Sequence, residues 1–425
     1  MIPKTDIELP IDISAPQAHK PVLLAEETIS QSDLEATTEW MLAGNRLTKA
    51  GVTTQFEEAF AKWMGSKHAV FVNSGSSANL LMIYAAKEAG RLRNNKVIAP
   101  AVSWVTTVSP LMQLGFDVRL CDCDAQNLGL DLNHLEELCR TEAPSMLILV
   151  HVLGHANHLH EIKEICDRYG VVLLEDSCEA LGSTFDGRKL GGHGLAGSFS
   201  FYYGHHISTI EGGMVVTDDS ELHQVMLSLR SHGWSRDLAP KRQADLQNQH
   251  NVDEFRNLYT FYYAGFNLRS TDLQAYIGLQ QLEKLDHICD TRARNFERYS
   301  MLLPEYYTQR SNTDHLSSFA YGTLVENRIE VAQALKAQDI ECRPLICGNI
   351  ARHPFWVRAY GEQVLPQADL IHDFGIYLPN HHNLGAKDIA RVAKCFSDVA
   401  RPIDTPSGDW TYADLMEPTV ERSTQ

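Results

Sequence analysis

Three stretches of this chain bring together residue types able to do chemistry. Asn73-Ser74-Gly75-Ser76-Ser77-Ala78-Asn79 follows an apolar run and opens a helical one. The first N–H groups of a helix lack partners within it, and with the Ser76 and Ser77 hydroxyls they can converge on an anion such as phosphate. A glycine–serine turn that only caps its helix has the same composition. The second stretch, Leu174 to Gly182, delivers two acids, Asp176 and Glu179, where a buried strand ends. An acid there can hold a proton on a nitrogen heterocycle and keep the ring electron-withdrawing, or can act as a cap or ion-pair partner. The third, Gly197 to Gly213, carries His205 and His206 in a polar loop. Imidazole, with an ordinary pKa of about 6.5, exchanges protons at neutral pH.

The surrounding pattern supplies elements to hold these residues. Phe56, Phe60 and Trp63 recur at helical spacing and lead into an apolar strand, His68 to Asn73. From there strands are expected at 96–99, 118–122, 146–152 and 171–175, alternating with helices at 77–86, 132–139 and 160–169. Such alternation predicts an α/β fold with a largely parallel sheet, whose strand-end loops favour active residues. Strands at 198–202 and 214–217 flank the histidine loop, a helix is expected over 220–231, and another helical stretch runs from Asp272 to Tyr299. The expected divisions are a leader at 1–30, a large domain at 31–290, a smaller α/β domain at 291–401 and a tail at 402–425.

Composition excludes several classes. With 37 basic against 54 acidic residues and a net charge of −17, the chain is not expected to bind nucleic acid. Its apolar runs are too short to cross a membrane, no export signal is visible in the proline-bearing leader, and its nine cysteines read as reduced thiols, so a cytoplasmic location is expected. Cys121 and Cys123 have no second pair at zinc spacing, and His151, His155, His158 and His160 span a strand-to-helix loop, so no metal is expected.

Taken together with Gly265-Phe266-Asn267-Leu268-Arg269-Ser270-Thr271-Asp272, the three stretches resemble the nucleotide-sugar aminotransferase and dehydratase group of fold-type-I pyridoxal-phosphate enzymes, over about Glu39 to Arg401. In that group a lysine six residues before the glutamate of the Glu-Gly-Gly motif tethers the cofactor. Here that glutamate is Glu211 and the lysine position holds His205, as in the sugar 3-dehydratase branch. Relatives in that branch with an iron–sulfur cluster carry four ligand cysteines, most of them shortly after the histidine loop. This chain has none between Cys178 and Cys289, so no cluster is expected, and Ser231 to Asp237 resembles the cluster-free GDP-sugar enzymes.

The resemblance implies a pyridoxamine or pyridoxal 5'-phosphate cofactor, held by Gly75, Ser76, Ser77 and Ser200 at its phosphate, Trp104 on its ring face, Asp176 at the ring nitrogen and Glu179 near the ring hydroxyl. It implies Asn267 and Arg269 reaching into a neighbouring subunit of a homodimer, and His205 as the base, assisted by His232. The implied reaction removes the 3-hydroxyl of a nucleotide-linked 4-keto-6-deoxy sugar, GDP-4-keto-6-deoxymannose in the cluster-free branch. L-glutamate re-aminates the cofactor and ammonia is released, within deoxysugar synthesis for lipopolysaccharide O-antigen. An aminotransferase, and a non-catalytic cofactor- or sugar-binding member, remain the alternatives.

Overall fold

The computed structural model describes residues 20–403, so much of the expected leader and nearly all of the expected tail lie outside the described residues. Seven strands of five residues form the central sheet: β1 (His68–Val72), β2 (Lys96–Pro100), β3 (Asp117–Cys121), β4 (Met146–Val150), β5 (Val172–Asp176), β6 (Ala196–Ser200) and β7 (Gly213–Thr217). They lie in the order β1-β7-β6-β5-β4-β2-β3. Strands β2 to β6 pair in parallel, whereas β7 is antiparallel to both β6 and β1. The expected parallel sheet is thus interrupted by one reversed strand. The connection from β6 to β7, residues 201–212, holds no helix that could carry the chain back across the sheet, as the crossover between parallel strands usually does.

Helices α1 (Gln31–Leu42) and α2 (Gly51–Met64) precede the sheet. Both faces of the sheet are covered, and β4 shows how. Met146, Ile148 and Val150 pack on the side of helices α3 (Gly75–Glu88) and α4 (Val105–Gln113), while Leu147 and Leu149 pack on the side of α5 (Leu132–Glu142) and α6 (Leu159–Tyr169). Burial on both faces makes such a strand an unbroken apolar run, each large side chain contributing roughly 1.5–3 kcal/mol. The spaced aromatics Phe56 and Phe60 of Gly51–Met64 meet Phe71, Phe199 and Phe201 in a third cluster.

A second, three-stranded antiparallel sheet follows, formed by β8 (Tyr321–Leu324), β9 (Arg343–Pro344) and β10 (Gly375–Leu378) in the order β8-β10-β9. Val331, Leu335, Ile389 and Phe396 cover it from helices Arg328–Ala337 and Ala386–Ser397. The helical stretch expected from Asp272 to Tyr299 is two helices, Asp272–Leu282 and Leu285–Leu302. The polar segment after Asp237 contains a helix, Pro240–His250, entered by Pro240 in its first turn.

Candidate active site

A cavity of about 460 Å³ opens at the carboxyl ends of β4, β5 and β6. Its lining includes Gly75, Ser76, Trp104, Asp176, Glu179, Ser200 and His205. At one end stands the start of α3. Ser74 is its N-cap, accepting the Ser77 N–H at 3.1 Å and donating its own hydroxyl to Ser77 Oγ at 3.0 Å. Ser77 takes part in the cap and is absent from the cavity lining, while Ser76 lines the space. Gly75 is required here by close approach: a Cβ on it would lie 2.4 Å from Ser200 Cβ. This end is a cradle of N–H groups and hydroxyls suited to an anion. Trp104, the residue before α4, keeps 56% of its surface exposed, which leaves an indole face free to stack.

Asp176 ends β5 and is fixed from one side. Its Oδ2 accepts Asn79 Nδ2 at 2.7 Å and Thr107 Oγ1 at 2.7 Å, leaving Oδ1 with the Cys178 N–H at 3.2 Å. Asn79 is itself oriented by the Ser198 hydroxyl at 2.5 Å. The neighbouring Glu175 points to the other face of the sheet and is fully buried. It accepts His151 Nε2 at 3.0 Å and the N–H groups of Gly191, His193 and Gly194 at 2.9, 2.6 and 2.5 Å. Burial favours protonation, yet His151 and these N–H groups outweigh it and hold the carboxyl below its ordinary range. Asn79, Thr107, Ser198, Glu175 and His151 were not singled out as site residues. The available signal was a glutamate inside an apolar strand, which needs internal partners.

Glu179 accepts the Leu153 N–H at 2.8 Å. Burial pushes its carboxyl up to about 8, with the Asp176 charge adding to the effect, so it is largely a neutral acid at pH 7. His205 lies in the β6–β7 loop, and its Nδ1 is 2.8 Å from the Cys178 carbonyl. A carbonyl only accepts, so Nδ1 carries the proton and Nε2 keeps its lone pair. Burial lowers its pKa to about 4; the Arg292 charge adds to this, while the Cys178 carbonyl and Asp176 oppose it. The imidazole is neutral at pH 7, below the ordinary range expected from sequence. Its ring packs 5.2 Å from Phe319. His206 turns away, its Nε2 3.1 Å from the Ser317 carbonyl, and is absent from the cavity lining.

His232, Asn267 and Arg269 are absent from the cavity lining too. Asn267 bridges Ser231, and Arg269 bridges Val72 at the end of β1. Arg269 Nη2 is 3.3 Å from His232 Nε2, which joins these two residues on one surface with Trp234 beside them. The four histidines near α6 disperse, His151 to Glu175, His155 to Ser311, His158 towards Asp124 and His160 against Phe185. Among the described residues no group of three or more His, Cys, Asp or Glu side chains is arranged to hold a metal ion, and Cys121 and Cys123 are buried free thiols.

Comparisons with known proteins agree with this architecture. Residues 28–397 match the model of the DegT/DnrJ/EryC1/StrS aminotransferase family. The chain is 34% identical over 371 residues to GDP-4-keto-6-deoxy-D-mannose 3-dehydratase of Yersinia pseudotuberculosis, covering 84% of this chain and 93% of that protein. It is 30% identical over 355 residues to GDP-perosamine synthase of Caulobacter vibrioides, covering 81% and 89%. Among solved structures, a GDP-4-keto-6-deoxymannose-3-dehydratase with a trapped PLP-glutamate geminal diamine superposes with a TM-score of 0.80 at 31% identity, covering 88% of this chain and 99% of that one. An α/β chain with this central sheet, this strand-end cavity and these matches across nearly all of its described length belongs to the DegT/DnrJ/EryC1/StrS aminotransferase family, a family of enzymes.

Proposed function

We propose that the chain is a pyridoxamine/pyridoxal 5'-phosphate-dependent 3-dehydratase of a nucleotide-linked 4-keto-6-deoxy sugar, with GDP-4-keto-6-deoxymannose as substrate and L-glutamate as amine donor. The observation that carries this reading is the neutral imidazole of His205 on the cavity wall, Nδ1–H committed to the Cys178 carbonyl and Nε2 unprotonated. An imidazole cannot make the lasting imine of a tethering lysine, but it can take and return a proton. Activity on the 3-hydroxyl fits such a base, and the 3-dehydratases among the relatives support it.

The residues present fit the cofactor. The α3 start, where Gly75 leaves room that a Cβ would fill, offers N–H groups and the Ser76 and Ser200 hydroxyls to a phosphate. Trp104 offers a ring face, and Asp176 an oxygen for a ring nitrogen, held in place by Asn79 and Thr107. Glu179, as a neutral acid, can donate to a ring or sugar oxygen. When bound, the cofactor supplies an amine that condenses with the ketone and a ring that accepts electrons. His205 Nε2 removes a proton and returns it, while the apolar side chains of Phe319 and Ile346 in the cavity lining exclude water.

In the same reading the functional unit is a cytoplasmic homodimer of chains with a large domain at 31–290 and a small one at 291–401. His232, Asn267 and Arg269 serve the neighbouring subunit's cavity from a surface that also exposes Phe255, Tyr259 and Phe261. The reaction belongs to dideoxysugar synthesis. Similarity to GDP-perosamine synthase favours an aminotransferase as the second reading. Incubation with GDP-4-keto-6-deoxymannose and L-glutamate separates the two. The dehydratase releases ammonia and a sugar lacking the 3-hydroxyl, while an aminotransferase retains nitrogen at C4. No turnover of GDP- or CDP-linked keto-sugars would defeat both.

A further inference from the structure

The helix Leu285–Leu302 carries a guanidinium with no place in the reading above. Arg292 is 2% exposed, and among the described residues no carboxylate pairs with it. Its donors go to carbonyls of three separate segments. Nη1 donates to Phe319 O at 2.8 Å and Asn380 O at 2.6 Å, and Nη2 reaches His205 O at 3.4 Å. The Asn380 side chain closes the arrangement by donating to the Arg292 carbonyl at 3.1 Å and to Ser318 O at 2.9 Å. Phe319 stands between the charge and the cavity, 5.8 Å from the guanidinium and 5.2 Å from the His205 ring.

Burying a cation without a counter-ion is expensive, and carbonyl dipoles screen it less than a carboxylate would. We propose that Arg292 is a positioning residue for His205: it clamps the His205, Phe319 and Asn380 backbones together, and its unpaired charge disfavours a second positive charge on the nearby imidazole. The groups facing His205 are few. Asp176 opposes the effect, Arg292 and the buried His206 are close enough to interact, and Glu179 and Glu211 line the same cavity. Buried His381 and half-buried His382, both largely neutral, also feel the guanidinium charge. The lowered pKa of His205 agrees with this arrangement, burial being its larger cause and Arg292 the one added charge that pushes it down.

The inference rests on His205 being the base, but its test does not. Histidine-ring NMR on the cofactor-free protein follows the His205 signal, assigned by its loss in His205→Asn. In Arg292→Gln the titration midpoint should rise by about one pH unit, as loss of a neighbouring buried like charge predicts, whereas Arg292→Lys should leave it low. An unchanged midpoint in Arg292→Gln overturns the proposal. So does a wild-type midpoint at or above the ordinary value, a result that needs no variant to fold. In the cofactor-loaded enzyme the acid limb of kcat/KM should move with the NMR midpoint while KM for the sugar nucleotide holds. A midpoint that moves without the limb leaves Arg292 as proposed and removes His205 as the base.

Discussion

Replacing Glu175 by glutamine changes one atom in a place that cannot absorb it. Each carboxylate oxygen takes two donors: Oε1 the His193 and Gly194 N–H groups, Oε2 the Gly191 N–H and His151 Nε2. A glutamine NH2 turned towards Gly194 would face two backbone donors. Turned the other way it would face the Gly191 N–H and force His151 to accept at Nε2. His151 Nδ1 would then carry a proton towards Asn157, whose backbone N–H and side-chain nitrogen lie 3.4 and 3.3 Å away. Either orientation loses two bonds to a charged acceptor, each worth about 1.5–3 kcal/mol, and leaves donors opposed, so Glu175→Gln should destabilise by about 3–5 kcal/mol. Urea unfolding of the cofactor-free protein measures the loss, and cofactor affinity should fall with it, because Asp176 is the next residue on the strand. A loss below about 0.5 kcal/mol, the size of an ordinary surface change, would refute the claim that Glu175 anchors the Gly191–Gly194 turn.

Other perturbations test other parts of the site. Gly75→Ala puts a Cβ 2.4 Å from Ser200 Cβ and should cost about 1–3 kcal/mol and weaken phosphate binding; unchanged melting and unchanged pyridoxal phosphate affinity would contradict the close approach. With His205 at about 4, kcat/KM should change little between pH 7 and pH 5.5, because such a base is about 97% unprotonated at pH 5.5, against about 9% for an ordinary imidazole. A fall of about eightfold over that interval, the change an ordinary imidazole would give, would exclude it as described. Stability should decline as pH drops from about 6.5 towards 4. Folded His205, His381 and His382 resist protonation down to about 4 while the unfolded chain takes up the protons, each costing at most about 1.4 kcal/mol per pH unit. Urea midpoints that stay level from pH 7 to pH 5 would contradict it.

How far the sequence speaks depends on whether a residue's job is local. Strand β4 and the aromatics Phe56 and Phe60 were legible because two-sided burial and helical spacing leave their marks in the residues themselves. The end of β4 was not: a strand reaching residue 152 was expected, but the chain leaves the sheet at Val150, where His151 turns to Glu175, a partner twenty-four residues away. Helix α4 escaped notice because Pro110 and β-branched threonines and valines argue against it, and packing on α3 overrides that preference. Asp176, Trp104, Ser76 and His205 stood out by motif and do line one cavity. Arg292 could not stand out, since its three carbonyl partners come from segments far apart in the chain.

The reversed strand has a bearing on how the chain comes off the ribosome. Strand β1 and the α3 start it leads into are made early, yet the sheet partner of β1 is β7, and the Asn73 N–H waits for Leu268 O. Until those later segments emerge, one edge of the nascent sheet and the N-terminal half of the cavity stay open to other chains. The site closes only when most of the protein has been translated, so chaperone demand and aggregation during synthesis should peak before Leu268 is free of the exit tunnel and fall after it.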